Sequence, residues 1–259
     1  MALILFILGS ILIIMTHEMC HIVAMKKYGI EIARLCLGLF PTRFSSINFP
    51  ASWLGKQSQI TLSFWFLGAI VEPSAMGAAT LKALAYKERS VIYGAGILGN
   101  IILGLVIAGL WHICFGHQPF LGFLLWACAL GFYLARRLIC RYLFPVLSFV
   151  ILGLTIWILF RQPFSEQEGI IVFISNNFGS LQVGDAIKYL AEISLVLGFF
   201  NLLPLFPFDG GKIVLAVFNE YFPKLKYVYI ILAFGFLFLI SGWALALEAR
   251  DLFVRLINP

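Results

Sequence analysis

The chain has 259 residues, of which 62% are hydrophobic and 12% charged, and its mean hydropathy is +1.00. A soluble domain rarely exceeds about 50% apolar residues, so this composition excludes an ordinary soluble protein and indicates a polytopic membrane protein with room for about six spans. The net charge of +6 is accounted for by cytoplasmic basic residues and anionic lipid, and it does not indicate a nucleic-acid partner.

The first predicted span covers residues 1–25. It is apolar from Met1 onward, and Lys26, Lys27 and Gly29 mark its end. No basic residue precedes its apolar core, and cleavage would remove three polar residues from its second half. We therefore interpret the segment as a retained span and not as a signal peptide. Polar side chains at membrane depth are costly, which makes those three residues candidates for a functional site.

These polar residues belong to the sequence His17-Glu18-Met19-Cys20-His21, an H-E-x-x-H pattern. On a helix that turns ~100° per residue, the two histidines lie ~40° apart and can reach one metal ion from one face. Glu18 lies ~100° round from His17, a position that suits a base holding a metal-bound water better than a third ligand. Cys20 lies near the same face, either as a buried thiol or as a group that approaches the metal.

Residues 30–75 contain short segments rich in β-branched and aromatic residues, separated by prolines and glycines. They predict a small β-sheet at or within the membrane, where irregular backbone must lie against protein or a water-filled cavity. Residues 75–90 predict an interfacial helix, and 91–115 a second span. Asn100 lies inside that span among glycines that favour close helix packing, so it needs a polar partner or a cavity.

Four further spans are predicted downstream. They cover about 120–135, 143–160, 189–207 and 227–247. Residues 212–226 predict a short connection between the last two spans. The chain has five cysteines without any C-x-x-C spacing, so the sequence indicates neither a disulfide framework nor a thiolate zinc site.

The distribution of basic residues predicts the orientation of the spans. With the N-terminus outside, fourteen of the eighteen Lys and Arg residues fall on the cytoplasmic side. This orientation places His17, His21 and Asp209 in the cytoplasmic half of the membrane. His112 and His117 then lie at the opposite face, where we expect interfacial residues and not metal ligands.

A second polar stretch, residues 201–211, reads N-L-L-P-L-F-P-F-D-G-G. Its two prolines should unwind the helix and aim Asp209. A carboxylate at membrane depth needs a cation, and His17 and His21 at matching depth provide a place for one. The three side chains with a water would complete a four-coordinate catalytic zinc site. Taken alone, Asp209 would better fit the cap of a helix beside Gly210.

The combination of H-E-x-x-H in a first span with N-x-x-P-x-x-P-x-D-G-G in a late span resembles the site-2 protease family of intramembrane zinc metalloproteases. Residues 95–100 are similar to the family's A-G-P-x-x-N, with isoleucine in place of proline, and residues 66–71 to P-L-G-G-Y-V, with three replacements. Residues 38–41 lie where several members have a re-entrant β-hairpin. The resemblance covers most of 1–115 and 189–225.

The resemblance implies a zinc metalloendopeptidase that cleaves a peptide bond in or near a transmembrane segment of a membrane-protein substrate, in regulated proteolysis. The zinc ion would be held by His17, His21 and Asp209. It would polarise the scissile carbonyl and lower the pKa of its bound water. Glu18 would take the proton of that water and pass it to the leaving amine.

The same reaction needs an unwound substrate. The segment 32–71 offers strands to which such a substrate could pair, and we expect residues 59–66 to provide the free edge. Asn201 and Asn100 would hydrogen-bond the substrate backbone or brace the site. For Asn100, a contact that only joins two helices is an equal alternative.

We therefore expect a single integral-membrane metalloprotease domain over residues 1–259, in a bacterial cell membrane, with its active site toward the cytoplasm and without a PDZ or CBS domain. The expected partners are a membrane-protein substrate with a transmembrane helix, the lipid bilayer and a regulatory membrane protein, with no nucleic acid. The rival functions are a metal transporter and a non-catalytic metal-binding membrane protein. Transporters usually show repeated halves, which are not evident here, and the presence of Glu18 argues against a protein that only binds metal.

Overall fold

The computed structural model describes residues 2–38, 46–55, 58–63, 68–116, 118–144, 146–147 and 182–257. Within these ranges the chain is mostly helical and includes a small four-stranded sheet. Three helical stretches are long and apolar enough to cross a membrane, namely Ala2–Lys27, Tyr86–Cys114 and Pro119–Leu143. The helical fold with a small sheet after the first helix is confirmed. The full set of six spans stays a prediction, and most of the fourth lies outside the described residues.

The secondary structure follows the chain in a simple order, with the sheet between the first two helices. The helices of the described ranges are α1 (Ala2–Lys27), α2 (Ala75–Ala83), α3 (Tyr86–Cys114), α4 (Pro119–Leu138), α5 (Val183–Asn201), α6 (Asp209–Tyr221) and α7 (Lys226–Ile257). The strands are β1 (Ile32–Leu37), β2 (Ser46–Pro50), β3 (Gln59–Ser63) and β4 (Ala69–Pro73).

The end of α1 agrees with the sequence. Lys26 and Lys27 occupy its last turn, and Gly29 follows with a φ of 68°, a left-handed conformation that glycine adopts without steric cost. The Ile30 N–H donates to the Met25 carbonyl at 3.0 Å, which closes the helix end and turns the chain into β1.

The strand order in the sheet is β2-β3-β1-β4. β1 pairs in parallel with β3 and antiparallel with β4, and β2 pairs antiparallel with β3. Since β3 has a partner on both sides, the expectation that residues 59–66 provide a free edge is wrong for Gln59–Ser63. In the described part of the sheet the edge strands are β2 and β4. They end in Pro50 and Pro73, and proline is tolerated at an edge because the missing N–H is not needed there.

α3 is the central helix, and it packs against α1, α4, α5 and α6. Buried Ile92 packs with the core between α1 and the sheet, and Ile97 with the core that includes α6. Small residues bring its neighbours close: a Cβ at Gly104 would lie only 2.7 Å from Leu195 Cγ on α5. Close approach of this kind is how helices gain packing contacts in lipid. α3 therefore holds α1 and α6 in place on its own surface.

The interfacial helix predicted over 75–90 is two helices in the structure. α2 ends at Ala83, and α3 begins at Tyr86 after Leu84 and Ala85, whose backbones are extended. The residues Lys87 to Arg89, which suggested an interfacial segment, form the first turn of the membrane-spanning α3 instead. The charged residues of this turn therefore belong to the start of α3, and the break that separates α3 from α2 lies before them, at Leu84 and Ala85.

Helix α4 does not end after residue 135, where the sequence predicts the end of the third span. α4 runs through Arg136 and Arg137 and continues as a π-helical segment, Ile139–Leu143. The arginines do not interrupt it because a long side chain can lie along the helix while its guanidinium reaches a polar partner. Arg141 does so with Glu88 at the start of α3, at an N···O distance of 3.2 Å.

Candidate metal centre

Three buried side chains from distant parts of the chain meet beside α3. His17 and His21 lie one turn apart on α1, and their Nε2 atoms are 3.1 Å apart. Asp209 is the first residue of α6, and its Oδ2 lies 3.0 Å from His17 Nε2 and 2.9 Å from His21 Nε2. Each of the three residues is between 3% and 7% exposed. The structure thus brings together the residues that the sequence predicts as metal ligands.

The turn between α5 and α6 positions Asp209. α5 ends at Asn201, and the proline-containing residues 202–208 separate it from α6. Tyr229 of α7 holds this turn by hydrogen bonding. Its hydroxyl lies 2.9 Å from the Pro204 carbonyl oxygen and 3.1 Å from the Gly211 carbonyl oxygen. Asp209 therefore begins a helix and faces both imidazoles at once. Most of the connection predicted over 212–226 belongs to α6 and is helical.

Both imidazoles are contacted at Nδ1 by groups on or beside α3. His21 Nδ1 lies 2.8 Å from the Ile92 carbonyl oxygen. A carbonyl only accepts, so the proton resides on Nδ1 and the Nε2 lone pair is free for a metal. His17 Nδ1 lies 3.2 Å from the Asn100 side-chain amide, whose oxygen accepts the corresponding Nδ1–H when the amide is turned toward it. Ser194 donates to the Asn100 backbone carbonyl at 2.8 Å, which ties α5 to the same point.

Gly96 explains how α3 can approach the two histidines. A Cβ at this position would overlap His21 Nε2 and would lie 2.7 Å from His17 Nε2. Any larger residue would therefore displace the atoms that face Asp209. Gly96 lies in the A-G-x-x-x-N stretch, so the sequence indicates that this residue matters. The sequence does not indicate its contact with the imidazoles.

Lys212 is a residue of the site that sequence reasoning missed. Its Nζ lies 2.9 Å from Asp209 Oδ1, on the carboxylate oxygen that does not face the histidines. The ammonium group of Lys212 supplies a positive charge beside the buried Asp209 carboxylate, and the two groups form an ion pair. The sequence could have indicated Lys212, because it lies three residues after Asp209 and residues three apart on a helix share a face.

Glu18 faces the space beside the three residues. It is 8% exposed and lines a cavity of about 380 Å³ together with His21, Asp209 and Lys212. Another wall of this cavity is formed by β4, through residues that include three in succession, Ala69, Ile70 and Val71. Successive side chains of a strand point to opposite faces, so a cavity that touches all three runs along the edge of the strand.

The other candidates from the sequence do not join the cluster. Asn201 does not line the cavity, and its side-chain amide donates to the Leu197 carbonyl at 3.1 Å within α5. Cys20 packs against Gly99 of α3 and is not part of the metal-type cluster. His112 lies near the far end of α3, where its ring packs edge-on against Trp111. His117 lies outside the described residues.

The donor set and its spacing fit a zinc ion. Neighbouring ligand atoms of a tetrahedral zinc site with bonds of about 2.0 Å lie about 3.3 Å apart. The separations of 2.9 to 3.1 Å among His17, His21 and Asp209 are within a few tenths of an ångström of that value. Among the residues that the structure describes, these three form the one group of His, Cys, Asp and Glu that could hold a metal ion. Two imidazoles and one carboxylate leave a fourth position open, as in catalytic zinc sites.

Comparison with protein families gives a match to the model described as Peptidase family M50, over residues 5–242. This range contains the H-E-x-x-H pattern, the sheet, α3 and the turn that positions Asp209. Comparison with curated proteins and with solved structures gives no match.

Proposed function

The chain belongs to peptidase family M50, the site-2 protease family of metallopeptidases, and on this basis we propose that it is an intramembrane zinc metalloprotease. The proposed reaction is hydrolysis of a peptide bond in or near a transmembrane segment of a membrane-protein substrate, in regulated proteolysis. The observation that carries the proposal is the meeting of His17, His21 and Asp209, with Glu18 in the adjoining cavity.

In the proposed mechanism His17, His21 and Asp209 hold the zinc ion. When bound, zinc supplies a Lewis acid that acidifies water and polarises a carbonyl. Glu18 is one residue from His17 and lines the cavity, so its carboxylate can accept a proton from the attacking water and deliver it to the departing amine. The Ile92 and Asn100 contacts keep the two Nε2 atoms directed at Asp209.

The substrate segment has to be extended, because a helix keeps its carbonyls in its own hydrogen bonds. We infer that β4 is the strand to which the substrate adds. β4 is an edge of the described sheet, and its residues line the same cavity as Asp209 and Lys212. An edge strand offers unpaired N–H and C=O groups to an extended peptide, and a peptide paired with β4 would run through the cavity that Glu18 lines.

The proposed setting is a bacterial cell membrane crossed six times, with the N-terminus outside and the metal centre toward the cytoplasm. The basic residues support this orientation, since fourteen of eighteen fall on the cytoplasmic side. The proposed partners are the bilayer, a substrate with a transmembrane helix and a regulatory membrane protein.

The proposal is tested with purified protein in detergent and a set of membrane-spanning peptides. Metal analysis should find about one zinc per chain, and mass spectrometry should find peptides cut within or beside the apolar stretch. Removal of the metal by a chelator should abolish cleavage, and added zinc should restore it. Cleavage that persists after complete removal of the metal would refute the proposed mechanism. Metal binding without cleavage of any membrane peptide would favour a metal-binding or transport protein.

A further inference from the structure

The cavity beside Glu18 has two chemically different walls. The wall formed by β4 is apolar where Ile70 and Val71 line it. The wall formed by α3 and α6 contributes two cationic side chains, Arg89 and Lys212. Two cationic side chains in a cavity next to a metal centre repel each other and the metal ion, so each needs an anionic partner.

Lys212 has its counter-charge in Asp209. Arg89 takes part in no ion pair with the residues that the structure describes, and its buried Nε has no hydrogen-bond partner there. The nearest acidic residue in the sequence, Glu88, pairs with Arg141. The Nε of Arg89 is buried without an acceptor, which is destabilising, so a ligand that supplies an acceptor to this guanidinium group gains binding energy.

A bound metal ion would give the cavity an excess of positive charge. Without it, Glu18 and Asp209 balance Arg89 and Lys212 in formal charge. A divalent ion adds two positive charges to the cavity and uses the Asp209 carboxylate as a ligand. Arg89 is then the cation for which the described cavity offers no partner.

We propose that Arg89 is a specificity-determining residue that binds a carboxylate side chain, Asp or Glu, on the substrate segment near the scissile bond. This inference rests on the proposed proteolytic function. An extended segment along β4 would lie in the cavity that Ile70, Val71 and Arg89 line, so a substrate with an acidic residue among apolar neighbours matches both the apolar and the cationic part of the lining. Arginine binds carboxylates through paired, charge-assisted hydrogen bonds, which gives such a site a geometric preference as well as a charge preference.

A lipid phosphate is the other anion that an arginine near a membrane surface can hold. The position of Arg89 favours the substrate, because the residue lines the same cavity as Glu18, His21 and the edge strand. A group bound there is within the space where the peptide bond must be cleaved, and a lipid headgroup would obstruct it.

The test compares wild-type protein with Arg89→Gln, Arg89→Glu and Lys87→Gln in phosphatidylcholine discs. Lys87 is the matched control: it is a cation on the same turn of α3, but it lies over the rings of Tyr86 and Tyr142 and does not line the cavity. The probes are membrane-spanning peptides that differ only in whether Gln, Glu or Lys occupies each position along the cleaved segment. Cleavage is measured by mass spectrometry. Binding is measured by fluorescence anisotropy in a Glu18→Gln background, where turnover is not needed.

Wild type and Lys87→Gln should cleave at least one Glu peptide about tenfold faster than its Gln counterpart, the effect of one charge-assisted hydrogen bond. The same preference should appear in peptide binding to the Glu18→Gln protein. Arg89→Gln should lose the preference, and Arg89→Glu should prefer Lys at the same position. Equal cleavage of Glu and Gln peptides by wild type, or a Glu preference that survives Arg89→Gln, would overturn the proposal.

Two outcomes separate this inference from the proposed function. If wild type cleaves peptides but Arg89 has no effect on their selection, the protease assignment stands and only the carboxylate site is wrong. Loss of copurified anionic lipid on Arg89→Gln, with unchanged peptide selection, would likewise overturn the site and assign Arg89 to lipid. If wild type cleaves no peptide and binds Glu and Gln peptides equally, both are contradicted.

Discussion

Replacing Gly96 by alanine tests the close approach of α3 to the metal centre. The new Cβ would lie 2.7 Å from His17 Nε2, while ordinary van der Waals contact begins at 3.4 Å, and it would overlap His21 Nε2. The His17 ring must therefore retreat by about 0.7 Å, several times the ~0.2 Å within which metal–ligand distances are held. Loss of second-shell support typically lowers metal affinity about 10- to 100-fold, and displacement of two ligand atoms should cost at least as much.

The assay is a zinc titration against a chromophoric chelator, with thermal unfolding measured on the same samples. Overpacking in a core also destabilises by about 1–3 kcal/mol, so a moderate fall in melting temperature is expected. Gly131→Ala on α4 is the matched control, since a Cβ there has no atom within 4 Å, and it should leave zinc affinity unchanged. Unchanged zinc affinity in Gly96→Ala, with or without a stability loss, would refute the reasoning.

Three further predictions follow from the same geometry. Lys212→Gln should weaken zinc binding about 10- to 100-fold because Asp209 loses its second partner, whereas Lys212→Arg should retain most of the affinity. Equal zinc affinities of Lys212→Gln and wild type in the zinc titration would exclude a positioning role for Lys212. A proline placed in β4 where the lost N–H faces the cavity should lower peptide cleavage and leave bound zinc intact. A proline in β3 should instead unfold the sheet, because β3 is paired on both sides. If no β4 proline affects cleavage, β4 is not the strand that binds the substrate. A cysteine near Lys87 should react with a membrane-impermeant thiol reagent only after permeabilisation, and labelling in intact cells would reverse the predicted orientation.

Part of the candidate metal centre could be predicted from sequence because it depends on short-range geometry. Two histidines four apart on a helix must share a face, and prolines before Asp209 must interrupt the helix wherever it lies. Asp209 could be assigned to the same metal because a carboxylate at membrane depth needs a cation. The contact of Gly96 with the imidazoles could not be assigned in that way, since it depends on the distance between α3 and α1. Lys212 lies three residues after Asp209 on α6, and its contact was missed because residues 212–226 were predicted as a connection and not as part of a helix.

The errors in the fold have a similar origin. The composition of residues 59–63 predicts a strand, but its place between β1 and β2 depends on a parallel pairing that leaves no local pattern. The arginines after residue 135 suggested the end of a span because charge is costly in lipid. Glu88 of α3 supplies a partner for Arg141, and that contact exists only in the folded protein.

We propose that His17, His21 and Asp209 bind zinc and that Glu18 acts as the base for peptide hydrolysis. The most direct measurement is the zinc content and the peptide-cleavage rate of Glu18→Gln, determined on the same purified sample as wild type. We expect the variant to keep about one zinc per chain, because Glu18 is not proposed as a ligand, and its cleavage rate to fall by about 10²-fold or more. A variant that keeps both its zinc and wild-type cleavage would contradict the role of Glu18. A variant that loses its zinc would contradict the division between ligands and base.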